Sequence, residues 1–494
     1  MGIIYRLQVT GYRLQVMDKL TKIIATIGPV SDSQETIEEL ILAGVNVFRF
    51  NFKHSDVEWH NERIERVVAV AAKLGMPVGT LIDLQGPEIR INMPVEELEV
   101  AEGESLWFGK VVFEDASKKG LSISHPDIIP HLKDGQKILA DDGAFEFKVS
   151  KKGEECFLVS ETAGVLKVRK SMNIPGADFP FPVLIDRDFE GLKLAAKNNV
   201  DFVALSFVRT ADDLRVVREE MKKNGVGGRL VAKIETEKAI ANLEEIVAES
   251  DAVMVARGDL GVEMPIERIP YYQKLIIKKC IEAGKPVITA TQMLESMIEN
   301  RYPTRAEVSD IGNATYDFTD AVMLSGETAT GKHAVGAVRV MAKTVAFNEG
   351  QFLEDTRAWF DFKLTDTEAV VCNSAYNLYL EMRKLGDKVA GFIVFTESGR
   401  TARLLSNFRP KVPICAFCPD RETAESLLLN FGVFPVIQGK KYERLKEVTR
   451  SQVLTGIGYL LGRKMIEGGK KYIVLHGDVW AREGGTSTVK VVTA

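Results

Sequence analysis

Two apolar runs in the middle of the chain end in residues that could hold a metal ion and an anion. Lys233 and Glu235 close the first run, and Arg257, Gly258 and Asp259 close the second. Residues i and i+2 of a strand share a face, so Lys233 and Glu235 point the same way. A helical pattern between the runs predicts a β-α-β unit. Two carboxylates without a full protein cage suit Mg²⁺, and a neighbouring lysine suits charge neutralisation during phosphoryl transfer or on an enolate.

Eight such apolar runs, each followed by a helical pattern, predict a (β/α)₈ TIM barrel. The predicted strands are Lys22–Ile27, Val47–Asn51, Val78–Asp83, Phe202–Phe207, Leu230–Glu235, Ala252–Asp259, Pro286–Gln292 and Ala321–Glu327. The polar residues at their ends are Arg49, Asn51, Asp83, Ser206, Lys233, Glu235, Arg257, Asp259, Thr291, Ser325 and Glu327. Ordinary polar loop edges would account for one or two of these residues. Because barrel enzymes build their sites at this end, so many of them predict an active site.

The fold class is therefore α/β, with further domains around the barrel. We assign residues 17–92 and 182–349 to the barrel, 93–181 to an inserted small β-barrel lid domain, and 350–494 to a C-terminal α/β domain with a regulatory role. The segment 5–9 is repeated at 12–16, and we interpret residues 1–16 as a disordered or non-native extension before a natural start at Met17.

Composition excludes several classes of function. The net charge of -5 over 494 residues gives no general reason to expect binding to nucleic acid or to an anionic membrane. No apolar run approaches the length of a membrane span. The five cysteines are sparse and odd in number, which predicts a reducing, cytoplasmic location. Cys415 and Cys418 have the spacing of a redox motif, but they follow an apolar run and we interpret them as core residues.

Two loops of the C-terminal domain are candidate anion sites. The first comprises Thr396, Ser398, Gly399, Arg400 and Thr401, and the second contains Trp480 and Arg482. Small residues that open a helix can hold a phosphate on free backbone N–H groups, although an ordinary cap or turn has the same pattern. The stretch Gly326–Lys332 has P-loop spacing, but His333 stands where a P-loop needs Ser or Thr, so we reject that interpretation.

A series of segments, in this order along the chain, resembles the pyruvate kinase family. The segments are TKIIATIGP, RFNFKH, DLQGPEIR, DDG, NIPG, SFVR, KIE, MVARGDLGVE, KPVITATQMLESM, PTRAEVSD and MLSGETA. The resemblance implies transfer of a phosphoryl group from phosphoenolpyruvate to ADP, giving pyruvate and ATP. It also implies a homotetramer and allosteric activation by a phosphorylated metabolite.

The resemblance implies roles for individual residues. Phosphoryl transfer and the later protonation of the pyruvate enolate fall to Lys233, Arg49, Thr291, Ser325 and Glu327, with the proton coming either from Thr291 or through a water network at Ser325 and Glu327. The substrate is bound by Arg49, Ser206, Gly258, Asp259 and Thr291. Mg²⁺ or Mn²⁺ is bound by Glu235 and Asp259. The nucleotide is contacted by Asn51, His54, Arg90 and Lys170.

The chain departs from the family pattern at the K⁺ site and at the effector loop. Asn51, Asp83 and the carbonyl of Leu84 match the K⁺ ligands, but Lys53 replaces a serine ligand. Our hypothesis is that the Lys53 ammonium takes the place of K⁺, balanced by Glu88 and Asp83. The alternative is that Lys53 points into solvent and K⁺ still binds. In the effector loop, Glu397 stands where sugar-phosphate-activated members often carry a basic residue.

Two other functions use the same residues. A Mg²⁺-dependent C–C lyase would share the metal and the enolate, and only a kinase needs ADP. A non-catalytic metabolite sensor would bind ligands without turnover, although the complete set of Lys233, Glu235, Asp259 and Thr291 argues against lost catalysis.

Overall fold

The computed structural model describes residues 19–176, 179, 181–351, 355–437, 450–477 and 485–494. The predicted extension at residues 1–16 and the predicted start at Met17 lie outside these residues.

Eight parallel strands form a closed barrel, as predicted. They are β1 (Lys22–Thr26), β2 (Val47–Asn51), β3 (Gly79–Asp83), β4 (Phe202–Leu205), β5 (Arg229–Ile234), β6 (Ala252–Ala256), β7 (Val287–Ala290) and β8 (Ala321–Leu324). Each strand pairs with the next along the chain, and β8 pairs with β1. All carboxyl ends therefore meet at one mouth, where Asn51 lies in register with Asp83.

Amphipathic helices surround the barrel and pack their apolar faces on it. Those of the barrel segments are Gln34–Ala43, Val57–Leu74, Asp186–Asn198, Ala211–Asn224, Glu237–Ala241, Leu243–Glu249, Arg257–Glu263, Ile269–Glu282, Arg305–Tyr316, Gly326–Ala329 and Ala334–Glu349. Side-chain caps fix where several begin: the hydroxyl of Ser33 accepts the N–H of Thr36, and the Asp56 carboxylate accepts that of Trp59. Short 3₁₀ helices span Ile266–Arg268 and Glu295–Ile298.

The closed end of the barrel is filled by the C-terminal domain. Leu428 and Leu429 are buried in one cluster with inward-facing residues of the strands, among them Ile24, Val231 and Met323. Packing of this kind ties the C-terminal domain to the floor of the barrel, opposite the mouth.

A β insertion follows β3, as predicted. A seven-stranded sheet has the order Met172–Asn173, Lys137–Ala140, Phe145–Lys152, Glu155–Ser160, Ser105–Phe108, Gly120–Ile123, Ile91–Asn92, and Glu97–Val100 pairs with Gly164–Lys167. Helical turns span Val111–Glu114 and Pro126–His131. Ile91–Asn92 pairs with this sheet, so we place the start of the insertion near residue 90, slightly before the predicted 93.

The C-terminal domain is a five-stranded α/β sheet. Its order is Val433–Ile437, Ile414–Cys418, Val389–Phe395, Lys471–Gly477, Thr486–Thr493. The first four strands are parallel, and the edge strand Thr486–Thr493 is antiparallel. The helices are Thr356–Ala358 (3₁₀), Thr367–Lys384, Arg400–Asn407, Arg421–Glu425 and Arg450–Gly462. Cys415 and Cys418 are buried, as predicted, and burial raises the pKa of both thiols to about 12.

Candidate active site

Lys233 lies at the centre of the barrel mouth. Its Nζ is 2.8 Å from a carboxylate oxygen of Glu235, 3.2 Å from one of Asp83, and donates to the Ser206 hydroxyl at 2.7 Å. The side chain is buried, which opposes its charge, but the carboxylates of Asp83, Glu235 and Asp259 raise the pKa of Lys233 above its ordinary value. The ammonium is therefore kept charged in a site largely screened from water.

Arg49 adds a second buried cation. Its guanidinium donates to Asp83 from two nitrogens, each at 2.7 Å, and to the Thr26 hydroxyl at 3.0 Å. Burial opposes the charge of Asp83, but Lys233 and Arg49 lower the pKa of its carboxyl. Asp83 is thus an anionic brace that fixes Arg49 and Lys233 relative to each other.

Glu235 and Asp259 are two carboxylates close enough to repel each other. Burial raises the pKa of Glu235 to about 7, and the Asp259 charge adds to this rise against the attraction of Lys233. One oxygen of Glu235 accepts the backbone N–H of Phe207 at 2.6 Å, and Phe207 has a positive φ of 56°. This turn after β4 therefore orients Glu235 towards the mouth.

The sixth predicted strand, Ala252–Asp259, is shorter than expected. β6 ends at Ala256, and Arg257–Glu263 forms a helix that carries Gly258 and Asp259 in its first turn. Arg257 is buried and donates to Asp310 at 2.6 Å and to the Thr291 carbonyl at 2.6 Å. Its guanidinium satisfies the carbonyls of the neighbouring turn, so Arg257 is one of the strand-end polar residues with a structural role.

Thr291 lies on a strained turn against Gly258. Its φ is 67° and that of Gln292 is 53°, a region that costs a β-branched residue free energy. The Thr291 hydroxyl accepts the N–H of Gly258 at 2.8 Å and donates to the Ala290 carbonyl at 2.7 Å. The turn holds a hydroxyl and a helix N-terminus side by side, an arrangement suited to a carboxylate ligand.

Ser325 and Glu327 lie beyond the end of β8, with Glu327 in the short helix Gly326–Ala329. The buried Glu327 carboxylate accepts the backbone N–H groups of Leu294 at 2.9 Å and Ser325 at 2.7 Å. The Ser325 hydroxyl, by contrast, is buried and has no hydrogen-bond partner among the described residues. Glu327 thus fixes two loops, while the Ser325 hydroxyl stays available.

Lys53 pairs with Glu88 at the edge of the mouth. The Lys53 ammonium is 2.7 Å from one Glu88 oxygen, and Arg90 donates to the other at 2.6 and 2.9 Å. The Asp83 carboxylate is instead bound by Arg49 and Lys233. The expected partnership with Glu88 is present, and the expected one with Asp83 is wrong, because the two buried cations occupy that carboxylate.

The other K⁺ candidates lie next to this pair. The Asn51 side chain accepts the backbone N–H of Lys53 at 3.4 Å, and the Leu84 carbonyl accepts the Ser206 hydroxyl at 2.8 Å. Both oxygens therefore already have donors in this arrangement.

A cleft of about 710 Å³ lies between barrel and insertion, with Lys53, Glu88, Asp142, Phe207, Asp259 and Glu263 among its lining residues. The predicted nucleotide residues Asn51, His54, Arg90 and Lys170 are not among them. Arg90 also donates to the Arg169 carbonyl at 2.7 Å, and Lys170 pairs with Asp141 at 2.7 Å. Burial and then the cations of Lys53 and Arg90 lower the pKa of His54. Arg90 and Lys170 are therefore already bound by neighbouring backbone and carboxylate oxygens.

Both halves of the chain match family models. The model "Pyruvate kinase, barrel domain" matches residues 18–338, and "Pyruvate kinase, alpha/beta domain" matches residues 379–492. The chain belongs to the pyruvate kinase family. Its reaction is accordingly the transfer of a phosphoryl group from phosphoenolpyruvate to ADP, giving pyruvate and ATP. The family generally uses Mg²⁺ and K⁺.

Curated pyruvate kinases resemble the chain over most of its length. That of Staphylococcus saprophyticus is 37% identical over 483 residues, which cover 95% of this chain and 80% of the relative. That of Geobacillus stearothermophilus is 40% identical over 430 residues, covering 85% and 71%. That of Clostridium acetobutylicum is 36% identical over 482 residues, covering 95% and 98%.

The predicted effector loop is held by carboxylates of the same domain. The Arg400 guanidinium donates to Asp366 at 2.6 Å and to Glu368 at 2.8 Å, and the Thr401 hydroxyl donates to Glu368 at 2.6 Å. Gly399 has a φ of 78°, which explains a glycine at this turn. Thr396 and Ser398 lie in the same loop, whereas Trp480 and Arg482 fall outside the described residues.

Arg209 is a site-lining residue that the sequence analysis did not single out. It follows β4 and donates to the carbonyls of Phe179 at 3.2 Å and Phe181 at 3.3 Å, in the segment that returns from the insertion. Asp213 holds the guanidinium at 3.0 Å. The segment SFVR contains this residue, but nothing in its spacing indicates that it binds backbone 28–30 residues earlier.

The described residues contain no group of three or more His, Cys, Asp or Glu side chains placed to hold a metal. In the same part of the chain, no helix is both long enough and apolar enough to cross a membrane.

Proposed function

We propose that the barrel mouth performs phosphoryl transfer with Lys233 and Arg49 as the groups that neutralise the phosphoryl charge. The position of Lys233 carries this proposal, since its ammonium is buried, charged and bonded to Asp83, Glu235 and Ser206. Fixed charges in a site screened from water stabilise a transferring phosphoryl group without reorganisation. The Asp83 carboxylate, which contacts both Arg49 and Lys233, holds these charges in place.

Glu235 and Asp259 are the proposed ligands of Mg²⁺ or Mn²⁺. Their chemistry fits a hard divalent cation, because two mutually repelling carboxylates at one mouth lose their repulsion when they share it. Two protein carboxylates leave the other coordination positions to water and substrate oxygens. The bound metal would supply further neutralisation of phosphoryl charge.

The substrate carboxylate is proposed to lie at the turn formed by Gly258, Asp259 and Thr291, with Ser206 and Arg49 on the opposite side. The first turn of the helix Arg257–Glu263, at the positive end of the helix dipole, favours a negative group there. This places phosphoenolpyruvate between the Thr291 turn and Lys233.

Protonation of the enolate is proposed to run through Ser325. The Thr291 hydroxyl already donates to Ala290 and accepts from Gly258, and both Glu327 oxygens accept backbone N–H groups. The Ser325 hydroxyl has no such commitment among the described residues, so it is the group free to pass a proton.

We also propose that Lys53 takes the role of K⁺. Its ammonium is fixed by Glu88 and its backbone N–H donates to the Asn51 side chain, so it places a positive charge at the edge of the mouth. ADP is proposed to bind across the cleft, near Asn51, His54, Arg90 and Lys170.

Assembly, regulation and location are proposed on separate grounds. Tyr302, Val308, Tyr316 and Phe347 are exposed apolar side chains, which supports a homotetramer. A phosphorylated effector at the loop 396–401 would compete with Asp366 and Glu368 for Arg400. The five cysteines are free and buried, which supports a reducing cytoplasm.

Replacement of Lys233 by methionine tests the central assignment. Pyruvate formation from phosphoenolpyruvate, ADP and Mg²⁺ should fall by about 10³-fold, since a buried charge aimed at the transferring group is removed. Lys332→Met is the control, because Lys332 is exposed and pairs with Glu299 on the surface. Activity of Lys233→Met within tenfold of the wild type would refute the role. Pyruvate formation without ADP would instead indicate hydrolysis of phosphoenolpyruvate to pyruvate and phosphate.

A further inference from the structure

A group of cationic side chains gathers where the floor of the barrel meets the C-terminal domain, away from the cleft. Arg218, Arg229 and Lys285 come from the barrel segments, and Arg403 comes from the helix Arg400–Asn407. Their shared carboxylate is Asp251, whose charge acts on the other members of the group.

The Asp251 carboxylate is already engaged by other donors. One oxygen accepts from Arg218 at 3.0 Å and from the backbone N–H of Leu230 at 2.9 Å. The other oxygen is 4.0 Å from Arg229, at the limit of an ion pair. Lys285 donates to the carbonyls of Ala248 and Ser250. Asp251 therefore does not satisfy all the cations around it.

Two guanidinium nitrogens in this group are buried without a hydrogen-bond partner among the described residues. They are Nε of Arg229 and Nη1 of Arg403. A buried N–H donor without an acceptor is rare, because it has lost water and gained nothing in return. Both unpartnered atoms are donors, so the missing partner is an acceptor.

The charge around these donors favours an anionic acceptor over a neutral one. Burial lowers the pKa of Arg403 to about 10, and the neighbouring Arg229 charge acts in the same direction. Repulsion between the two guanidinium groups is relieved by a negative ion between them.

The two arginines also connect the domains. Arg229 opens β5, which carries Lys233 and leads to Glu235, and its backbone N–H donates to the Asp201 carbonyl at 2.8 Å. Arg403 donates from Nη2 to the Ser398 carbonyl at 2.8 Å, in the loop 396–401. An ion held by both arginines would thus join the barrel to that loop.

We propose that Arg229 and Arg403 bind a small tetrahedral anion at this junction, either inorganic phosphate or the phosphoryl group of a metabolite. Planar guanidinium groups with free N–H donors match phosphate oxygens in charge and geometry. This site is separate from Arg400, whose donors are held by Asp366 and Glu368. The proposal does not depend on the catalytic roles assigned above.

Thermal unfolding and calorimetric titration of the full chain test the site. Sodium phosphate is compared with sodium chloride at equal ionic strength. For the wild type we expect a saturable, phosphate-specific rise in Tm, and affinity at least tenfold weaker in Arg229→Met and in Arg403→Met. Arg463→Met is the control, since Arg463 lies on the Tyr459 ring in the same domain. Phosphate bound in the catalytic cleft would affect all four proteins alike.

The source of the anion is decided by a second titration with glycerol 3-phosphate. Tighter binding than phosphate, lost in both variants, would identify a phosphorylated metabolite, while equal or weaker binding would identify free phosphate. If Arg403→Met fails to fold, Arg403→Lys replaces it, and its lost fork geometry should still weaken binding. An equal phosphate response in wild type and variants, or no saturable response in the wild type, would overturn the proposal.

Discussion

The catalytic cleft and the domain junction both concentrate arginine and lysine side chains, but they balance the charge differently. In the cleft, Lys233 and Arg49 each contact a carboxylate within 3.2 Å. At the junction, Arg229 and Arg403 keep buried donors without partners among the described residues. In the first region both cations have carboxylate partners, and in the second region some cationic N–H donors have none.

The difference shows which sign of charge each region lacks. The cleft holds its cations rigid and leaves two carboxylates, Glu235 and Asp259, in mutual repulsion, so its shortage is of positive charge and a metal relieves it. The junction holds a surplus of donors, so its shortage is of negative charge. The loop at Arg400 resembles the cleft, because carboxylates already satisfy that arginine.

Removing one carboxylate from the cleft should have the largest effect after the loss of Lys233. In Glu235→Gln the metal loses a charged ligand while the volume is kept, so we expect pyruvate formation to fall by about 10²- to 10³-fold at fixed Mg²⁺. Excess Mg²⁺ should recover part of the loss. A Mg²⁺ titration of the initial rate measures this, and Glu237→Gln, in the next helix, is the control.

An unchanged Mg²⁺ requirement in Glu235→Gln would contradict the conclusion that the cleft lacks positive charge. The repulsion between Glu235 and Asp259 would then have to be relieved by Lys233 alone, and the cleft would not be short of positive charge.

Replacing the two candidate proton donors, Ser325 and Thr291, one at a time should give the next largest effect. In Ser325→Ala we expect kcat to fall by about 10²-fold with little change in KM for phosphoenolpyruvate, since the free hydroxyl is removed. In Thr291→Val the turn beside Gly258 loses its bond, so KM should rise as well. Exchange of the pyruvate methyl protons with deuterated solvent follows the proton step directly. Normal exchange in Ser325→Ala would assign the relay elsewhere.

The barrel and the centre of its site could be predicted because both follow from local order. Each strand is an apolar run, and the barrel brings the run ends together, so Lys233 and Glu235 could be placed from the sequence alone. Arg257 was misplaced because a helix begins immediately after Ala256 and turns its side chain towards Asp310. Strand periodicity holds no information on where the following helix begins.

Contacts between segments far apart in the chain could not be predicted from the sequence. Lys53 and Glu88 were paired correctly, but the competition of Arg49 and Lys233 for Asp83 depends on three strands packed side by side. The same holds for the junction, where Arg229 and Arg403 come from different domains. Which donors stay unpaired there is decided by packing, and residue spacing does not report it.

Replacing Lys53 by the serine of the family pattern tests whether the Lys53 ammonium takes the place of K⁺. In Lys53→Ser the built-in cation is lost and an oxygen ligand is gained beside Asn51 and Leu84, so activity should come to depend on K⁺. We expect roughly tenfold activation by K⁺ in the variant and almost none in the wild type, measured from a buffer free of K⁺ and Na⁺. Lys73→Ser, on an outer helix, is the control. Strong K⁺ activation of the wild type would show that Lys53 does not replace the ion.

The smallest expected effect concerns a carboxyl pair at the junction, Asp201 and Glu425. Burial raises the pKa of Glu425 to about 8, and the neighbouring Asp201 carboxylate adds to the rise. The folded protein therefore holds this proton more tightly than the unfolded chain. The resulting stabilisation is complete below the ordinary glutamate pKa and is lost as pH rises towards about 8.

Glu425→Gln should remove this pH dependence, because the amide mimics the protonated carboxyl. Between pH 5.5 and pH 8.5 the wild-type Tm should fall by about 2–4 °C more than that of the variant. Glu422→Gln, one turn earlier on the same helix, should keep the wild-type slope. An equal slope in Glu425→Gln and the wild type would mean that the pair is separated in solution. Both carboxyls would then be ionised, and the surplus of positive charge at the junction would be smaller than the structure indicates.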